Sequence, residues 1–154
     1  MYKRQLASGG NDANGAEPSA QPRAIVELTS DEWGIDAGQA PVRAGRVTFD
    51  ERNTGAVPHD LLIVRTDLPA DALPRGLEGV AVELAGDVVL GESHSDHQHD
   101  TGAGQAADRA HAEDHLDPGG RRRRTVTLEP GRYVVLCPVP GHYERGQATA
   151  VTVR

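Results

Sequence analysis

The sequence predicts an all-β domain built as a two-sheet sandwich, on three observations. Short apolar runs separated by turn residues recur from residue 24 to the C-terminus. Glycine and proline are frequent, 18 and 10 among 154 residues, as a chain of short strands requires. No segment carries a sustained helical period of apolar residues.

The elements follow in order. Ala24, Val26 and Leu28 fall on one face of a first strand, and Trp33 and Ile35 on one face of a second. "GRVTFDERN" places Val47 and Phe49 together and ends at the turn signal Asn53-Thr54-Gly55. "HDLLIV" is a continuous apolar run, which suits a strand covered on both faces. "GVAVEL" follows a loop containing Pro and Gly. "RTVTLEP" then alternates, with Val126 and Leu128 inward and the threonines outward. Pro130-Gly131 turns the chain into "RYVVLC", and "GQATAVTV" closes it. These seven or eight short strands pack most simply as two layered sheets. Aromatic residues are only 3% of the chain, so the core must rest on Val, Leu, Ile and Ala.

Two segments stand outside that pattern. Residues 1–23 are rich in Gly, Ser, Asn, Ala and Pro and read as a flexible leader ahead of a domain spanning 24–154. Lys3 and Arg4 resemble a charged signal n-region, but no apolar h-region follows, so the sequence as written holds no complete signal peptide. The leader resembles the tether that follows an export signal or a lipid anchor. The expectation is an extracytoplasmic protein, whether periplasmic, secreted or tethered at the cell surface. Residues 91–120 are polar, acidic and carry His94, His97, His99, His111 and His115. They read as a long inserted, mobile loop.

Charge and cysteine usage narrow the function. A net charge of −7 argues against nucleic acid as a partner, because phosphate binding needs a basic face. Arg121 to Arg124 is the exception. It reads as a solvated loop, with a docking patch or an internal counter-charge to the preceding acidic stretch as alternatives. No apolar run approaches the ~20 residues of a membrane span. A single cysteine allows no internal disulfide, leaving an inert buried thiol, a nucleophile or a metal ligand.

The segment from Cys137 to Gln147 decides among these. Cys137, His142 and Gln147 are spaced Cys-x4-His-x4-Gln across a loop stiffened by Pro138 and Pro140 and bent at Gly141. A second imidazole comes from His59, directly after Pro58 at the head of "HDLLIV". Two imidazoles and a thiolate with a weak axial donor form the blue-copper pattern, in which Met or Gln serves axially. A Cys137–His142 nucleophile–base pair lacks an orienting third group and an oxyanion-hole motif. Zinc also suits a Cys/His site, but the axial spacing favours copper. Gln147 has a solvent-facing strand position as its alternative.

"PGRYVVLCPVPGHYERGQATAVTV" resembles the C-terminal copper loop of the cupredoxin family, and "VTFDERNTGAVPHDLLIV" resembles that family's strand bearing the first histidine. With the N-terminal strands, the resemblance covers roughly residues 23–154 apart from the insertion. It implies a cupredoxin-like Greek-key β-sandwich holding one copper ion that cycles between Cu(I) and Cu(II). His59, Cys137 and His142 would form the trigonal set, with Gln147 axial as in stellacyanin-like members, where most of the family has Met. Asp60 departs from the Asn that many members carry after the first histidine. The implied function is one-electron transfer at a mononuclear type 1 copper site, not enzymatic catalysis. The implied protein is a monomer meeting a redox protein partner through His142 and a small apolar patch of Pro138, Val139 and Pro140. The alternative is copper handling: binding, storage or delivery, with a copper donor or acceptor as partner. There the His-rich loop collects metal at a weak secondary site of His94, His97 and His99. A third reading is an interaction module in which the metal is incidental.

Overall fold

Two sheets face each other in the computed structural model, which describes residues 24–38, 41–76, 79–89, 92–95 and 115–154. The strands are β1 (Ala24–Asp31), β2 (Gly34–Asp36), β3 (Gly45–Asn53), β4 (Leu62–Arg65), β5 (Arg75–Gly76), β6 (Gly79–Val80), β7 (Asp87–Val88), β8 (Glu92–Ser95), β9 (Arg121–Leu128), β10 (Gly131–Leu136) and β11 (Ala148–Val153). One helical turn, α1 (Val82–Ala85), precedes β7. The larger sheet has the order β2-β1-β3-β9-β8 and the smaller β11-β10-β4-β7, with β5 and β6 forming a separate ribbon. β1 and β3 run parallel, and the other pairs are antiparallel.

The alternation read from the sequence sets the core. Val26, Leu28, Val47, Phe49, Val126 and Leu128 of the larger sheet pack against Ile63, Tyr133, Val135, Val151 and Val153 of the smaller. Each such side chain, fully buried, contributes about 1.5–3 kcal/mol. β4 is covered on both faces, as its unbroken apolar run predicts. Ile63 enters the inter-sheet core, while Val64 joins a second cluster with Leu73, Ala85, Val134, Leu136 and Tyr143.

The structure corrects four expectations. The described residues form eleven strands, more than seven or eight: β5 and β7 are two-residue pieces too short to show a period, β8 has no apolar alternation, and "GVAVEL", read as one strand, is β6 followed by the helical turn α1. Trp33 does not share a face with Ile35. Asp31 Oδ1 accepts from the backbone N–H of Trp33 (2.8 Å) and Gly34 (3.1 Å), and this Asx turn leaves Trp33 75% exposed while Ile35 is buried. Arg121 to Arg124 form the first half of β9, where Arg121, Arg122 and Arg123 pair with Asp50 and Glu51 of β3 and Arg124 donates to the Leu61 carbonyl, so the solvated-loop reading fails. Finally, the expected insertion is part of the sandwich at both ends. Its residues 92–95 are β8, paired with β9, and Leu116 bridges His59. The leader, and His97, His99 and His111, lie outside the described residues.

Candidate metal centre

Two loops at one end of the sandwich bring the sequence-derived ligand residues together. The first runs from the end of β3 to β4. Asn53 is buried there, and its Nδ2 donates to the carbonyls of Val57 (2.8 Å) and Leu116 (2.9 Å), while its Oδ1 accepts from Gly55 N–H (2.9 Å). Glu32 accepts from the backbone N–H of Ala56. His59 exchanges both backbone bonds with Leu116, at 3.1 and 2.7 Å. A short loop rich in turn residues is thereby fixed by directional bonds at nearly every step.

The second loop leaves β10 at Cys137 and returns to β11 after Gln147. Cys137 N–H donates to the Gln147 carbonyl (3.0 Å), closing the loop at its base, and His142 N–H donates to the Val139 carbonyl (3.0 Å). A 3₁₀ turn over Tyr143–Arg145 follows and ends at Gly146 with φ +97°. A Cβ there would lie 2.7 Å from the Trp33 carbonyl oxygen, so this position requires glycine on two counts. Tyr143 anchors the loop to the second core. Its hydroxyl donates to the Ala70 carbonyl (2.7 Å) and accepts from Leu73 N–H (2.9 Å).

The ligand atoms of His59, Cys137 and His142 lie within 4.8 Å of one another. The two Nδ1 atoms are 3.3 Å apart, and His142 Nδ1 is 3.4 Å from Cys137 Sγ. The imidazoles meet edge to face, their centroids 5.1 Å apart. His59, Cys137 and Gln147 are buried, and His142 is half-buried. Gln147 therefore does not face solvent. Both its amide atoms, and His59 Nε2, are buried without a hydrogen-bond partner among the described residues.

Burial dominates the electrostatics. It lowers the His59 pKa, against the opposing charges of Glu51, Glu32 and Asp31. It also lowers that of His142, aided by His59 and Arg145. It pushes the Cys137 thiol up, although the N–H groups of Asp60 and Val139 favour the thiolate. Burial thus favours the neutral form of both imidazoles, whose lone pairs could coordinate, and a metal held there would displace the proton of the Cys137 thiol. Two imidazoles, a sulfur and an unpartnered amide fit copper by donor softness and number.

Beside this cluster Asp60, already singled out, is joined by Arg122, which the sequence reading missed. Asp60 N–H donates to Cys137 Sγ (3.3 Å), and the Asp60 carboxylate accepts from Arg122, which is itself paired with Glu51. The available signal was parity. Arg122 and Arg124 share the inward register of Val126 and Leu128, so the alternation already placed two arginines inside.

No protein-family model and no curated protein matches the chain. Solved structures do. The chain is similar to dithionite-reduced auracyanin from the photosynthetic bacterium Roseiflexus castenholzii, with 25% identity and a TM-score of 0.52, over 85% of this chain and 96% of that one. It is similar to auracyanin A, described as a "blue" copper protein, from Chloroflexus aurantiacus, with 20% identity and a TM-score of 0.50, over 84% and 98% of the two chains. A multicopper oxidase from Campylobacter jejuni matches at 11% identity and a TM-score of 0.50, covering 89% of this chain and 31% of that one. The latter two likenesses show the fold.

Proposed function

Because this chain belongs to the cupredoxin family, we propose that it carries single electrons through one copper ion held by His59, Cys137 and His142, with Gln147 as axial ligand. One observation carries the reading: three donor atoms converge from two loops that are fixed by their own hydrogen bonds. The unpartnered, buried Gln147 amide supports the fourth position. Bound copper supplies a one-electron couple. The chain supplies a rigid donor set, which limits the rearrangement between oxidation states. His142 is half-buried, whereas His59 and Cys137 are buried, so His142 is the exchange route to a partner. Exposed Pro138 and Pro140 flank it with half-buried Val139, forming a small contact suited to a transient redox encounter. No substrate is transformed in this reading. The protein acts outside the cytoplasm as a monomer, with residues 1–23 as a tether, which their polar, Gly- and Pro-containing composition supports.

Copper handling is the second reading. Leu116, near the end of the His-rich insertion, is hydrogen-bonded to His59, so the insertion returns beside the ligands. Copper transfer to an acceptor, lost on removal of residues 97–114, would favour it.

Voltammetry of the copper-loaded protein tests the leading reading. A reversible one-electron couple is expected, moving to higher potential in Gln147→Met, because an amide oxygen stabilises Cu(II) more than a thioether does. No reversible couple would contradict electron carriage. An unchanged or lower potential in the variant would remove Gln147 from the ligand set.

A further inference from the structure

The inner face of the larger sheet changes chemistry along β3 and β9. Val47 pairs in register with Val126, and both are apolar and buried. Four residues on along β3, and four back along antiparallel β9, Glu51 pairs with Arg122. The Arg122 side chain is 2% exposed and that of Glu51 0%. Arg122 Nη2 donates to Glu51 Oε2 (2.7 Å), whose other oxygen accepts from Ser30 Oγ (3.2 Å). Arg122 Nη1 donates to Asp60 Oδ1 (3.2 Å), the atom that also accepts from Leu61 N–H (2.6 Å). Asp60 follows His59 in the chain and directs its backbone N–H at Cys137 Sγ (3.3 Å).

We propose that Arg122 is a positioning residue for the metal centre: it clamps the Asp60 carboxylate, holds the Asp60 N–H on Cys137 Sγ, and so sets the reduction potential. This rests on the copper reading above. Stability alone does not call for such a group, since a buried ion pair is often replaceable by apolar residues without loss. The planar, two-ended guanidinium gives what an apolar filler cannot, a directional link from the β3–β9 ladder to the residue beside a ligand. Both of its effects have one sign. An N–H bond to sulfur withdraws electron density from the thiolate. A nearby cation also favours the state with one less positive charge, which is the reduced one. Arg122 therefore raises the potential.

The test compares Glu51→Gln with Glu51→Gln/Arg122→Met. The double variant removes the cation together with its buried counter-charge, leaving no orphaned ion at Glu51 to unfold the protein. Two quantities are read: the reduction potential of the copper-loaded protein and hydrogen exchange of the Asp60 amide in metal-free protein. Relative to Glu51→Gln, the double variant should show a lower potential. Its Asp60 amide should exchange faster, while the Phe49 and Ile63 amides keep their protection. A lower potential with unchanged Asp60 exchange would make Arg122 a remote charge and overturn the clamp. Faster exchange with an unchanged potential would overturn the link to the metal, and no change in either would overturn both. If the parent protein shows no thiolate–copper absorption, the copper reading itself fails, while exchange in metal-free protein still reports on the clamp.

Discussion

The two ends of the sandwich interior use the same strands and opposite chemistry. At one end Val47, Phe49, Ile63, Val126, Leu128, Val135 and Val153 fill the space between the sheets with apolar volume. At the other, Ser30, Glu51, Asn53, His59, Arg122 and Gln147 are just as buried and all polar. Apolar burial is non-directional. It stabilises the sandwich but tolerates small shifts of its parts. Hydrogen bonds and buried ion pairs are directional and costly to bury, contributing little net stability. They do fix positions, which is what a donor set assembled from two loops needs. One end of the interior stabilises the fold, and the other holds its geometry.

That division can be broken most severely by core truncation. Phe49→Ala should cost about 3–5 kcal/mol in chemical denaturation of the metal-free protein, from lost burial and the cavity left behind. Glu51→Ala should cost a similar amount for a different reason, about 3–5 kcal/mol for removing the buried carboxylate paired with the Arg122 guanidinium. The distinguishing case is Glu51→Gln/Arg122→Met, which should recover most of the Glu51→Ala loss. A double variant as unstable as Glu51→Ala would mean that the polar end stabilises the fold as the apolar end does.

A smaller effect is expected on the outer face. Asp50 is bonded by Arg121 (2.6 and 2.7 Å) and by Arg123 (2.8 Å). The Arg121 bond, chiefly, holds its pKa below the ordinary aspartate value, against the opposing effect of burial. The folded-state pKa is thus the lower one, so the contribution is present above the unfolded pKa of ~3.9 and is lost as pH falls through the folded value. The side chains of Arg121 and Arg123 are 60% and 54% exposed, so water screens the pairs. Asp50→Asn should cost about 1 kcal/mol or less at neutral pH. It should also flatten the fall in stability below about pH 4, read as urea midpoints against pH. An unchanged acid limb would remove Asp50 from the acid response.

What was legible in the sequence follows the same division. Val26 with Leu28, Val47 with Phe49, and Val126 with Leu128 announce their faces by alternation, because strand period and burial are local properties. His59, Cys137 and His142 were legible because they stand in two Pro- and Gly-containing loops beside strand-like runs, with Cys137 and His142 in the same loop. Arg122 was not. Its partners Glu51 and Asp60 lie 71 and 62 residues away, so only the β3–β9 register and the loop after β3 bring them together. Its three arginine neighbours gave the segment the look of a solvated run. Trp33 was misplaced because the alternation from Ile35 was extended through a turn that Asp31 governs. β8 was hidden because its sequence, Glu-Ser-His-Ser, offers no apolar alternation to read.

The most direct test of the central claim is the visible absorption spectrum after one equivalent of Cu(II), recorded beside a Cys137→Ser control. The convergent donors predict an intense blue band in the parent protein that is absent from the control. A pale spectrum indifferent to the substitution would contradict the account, because copper would then be held without the Cys137 thiolate.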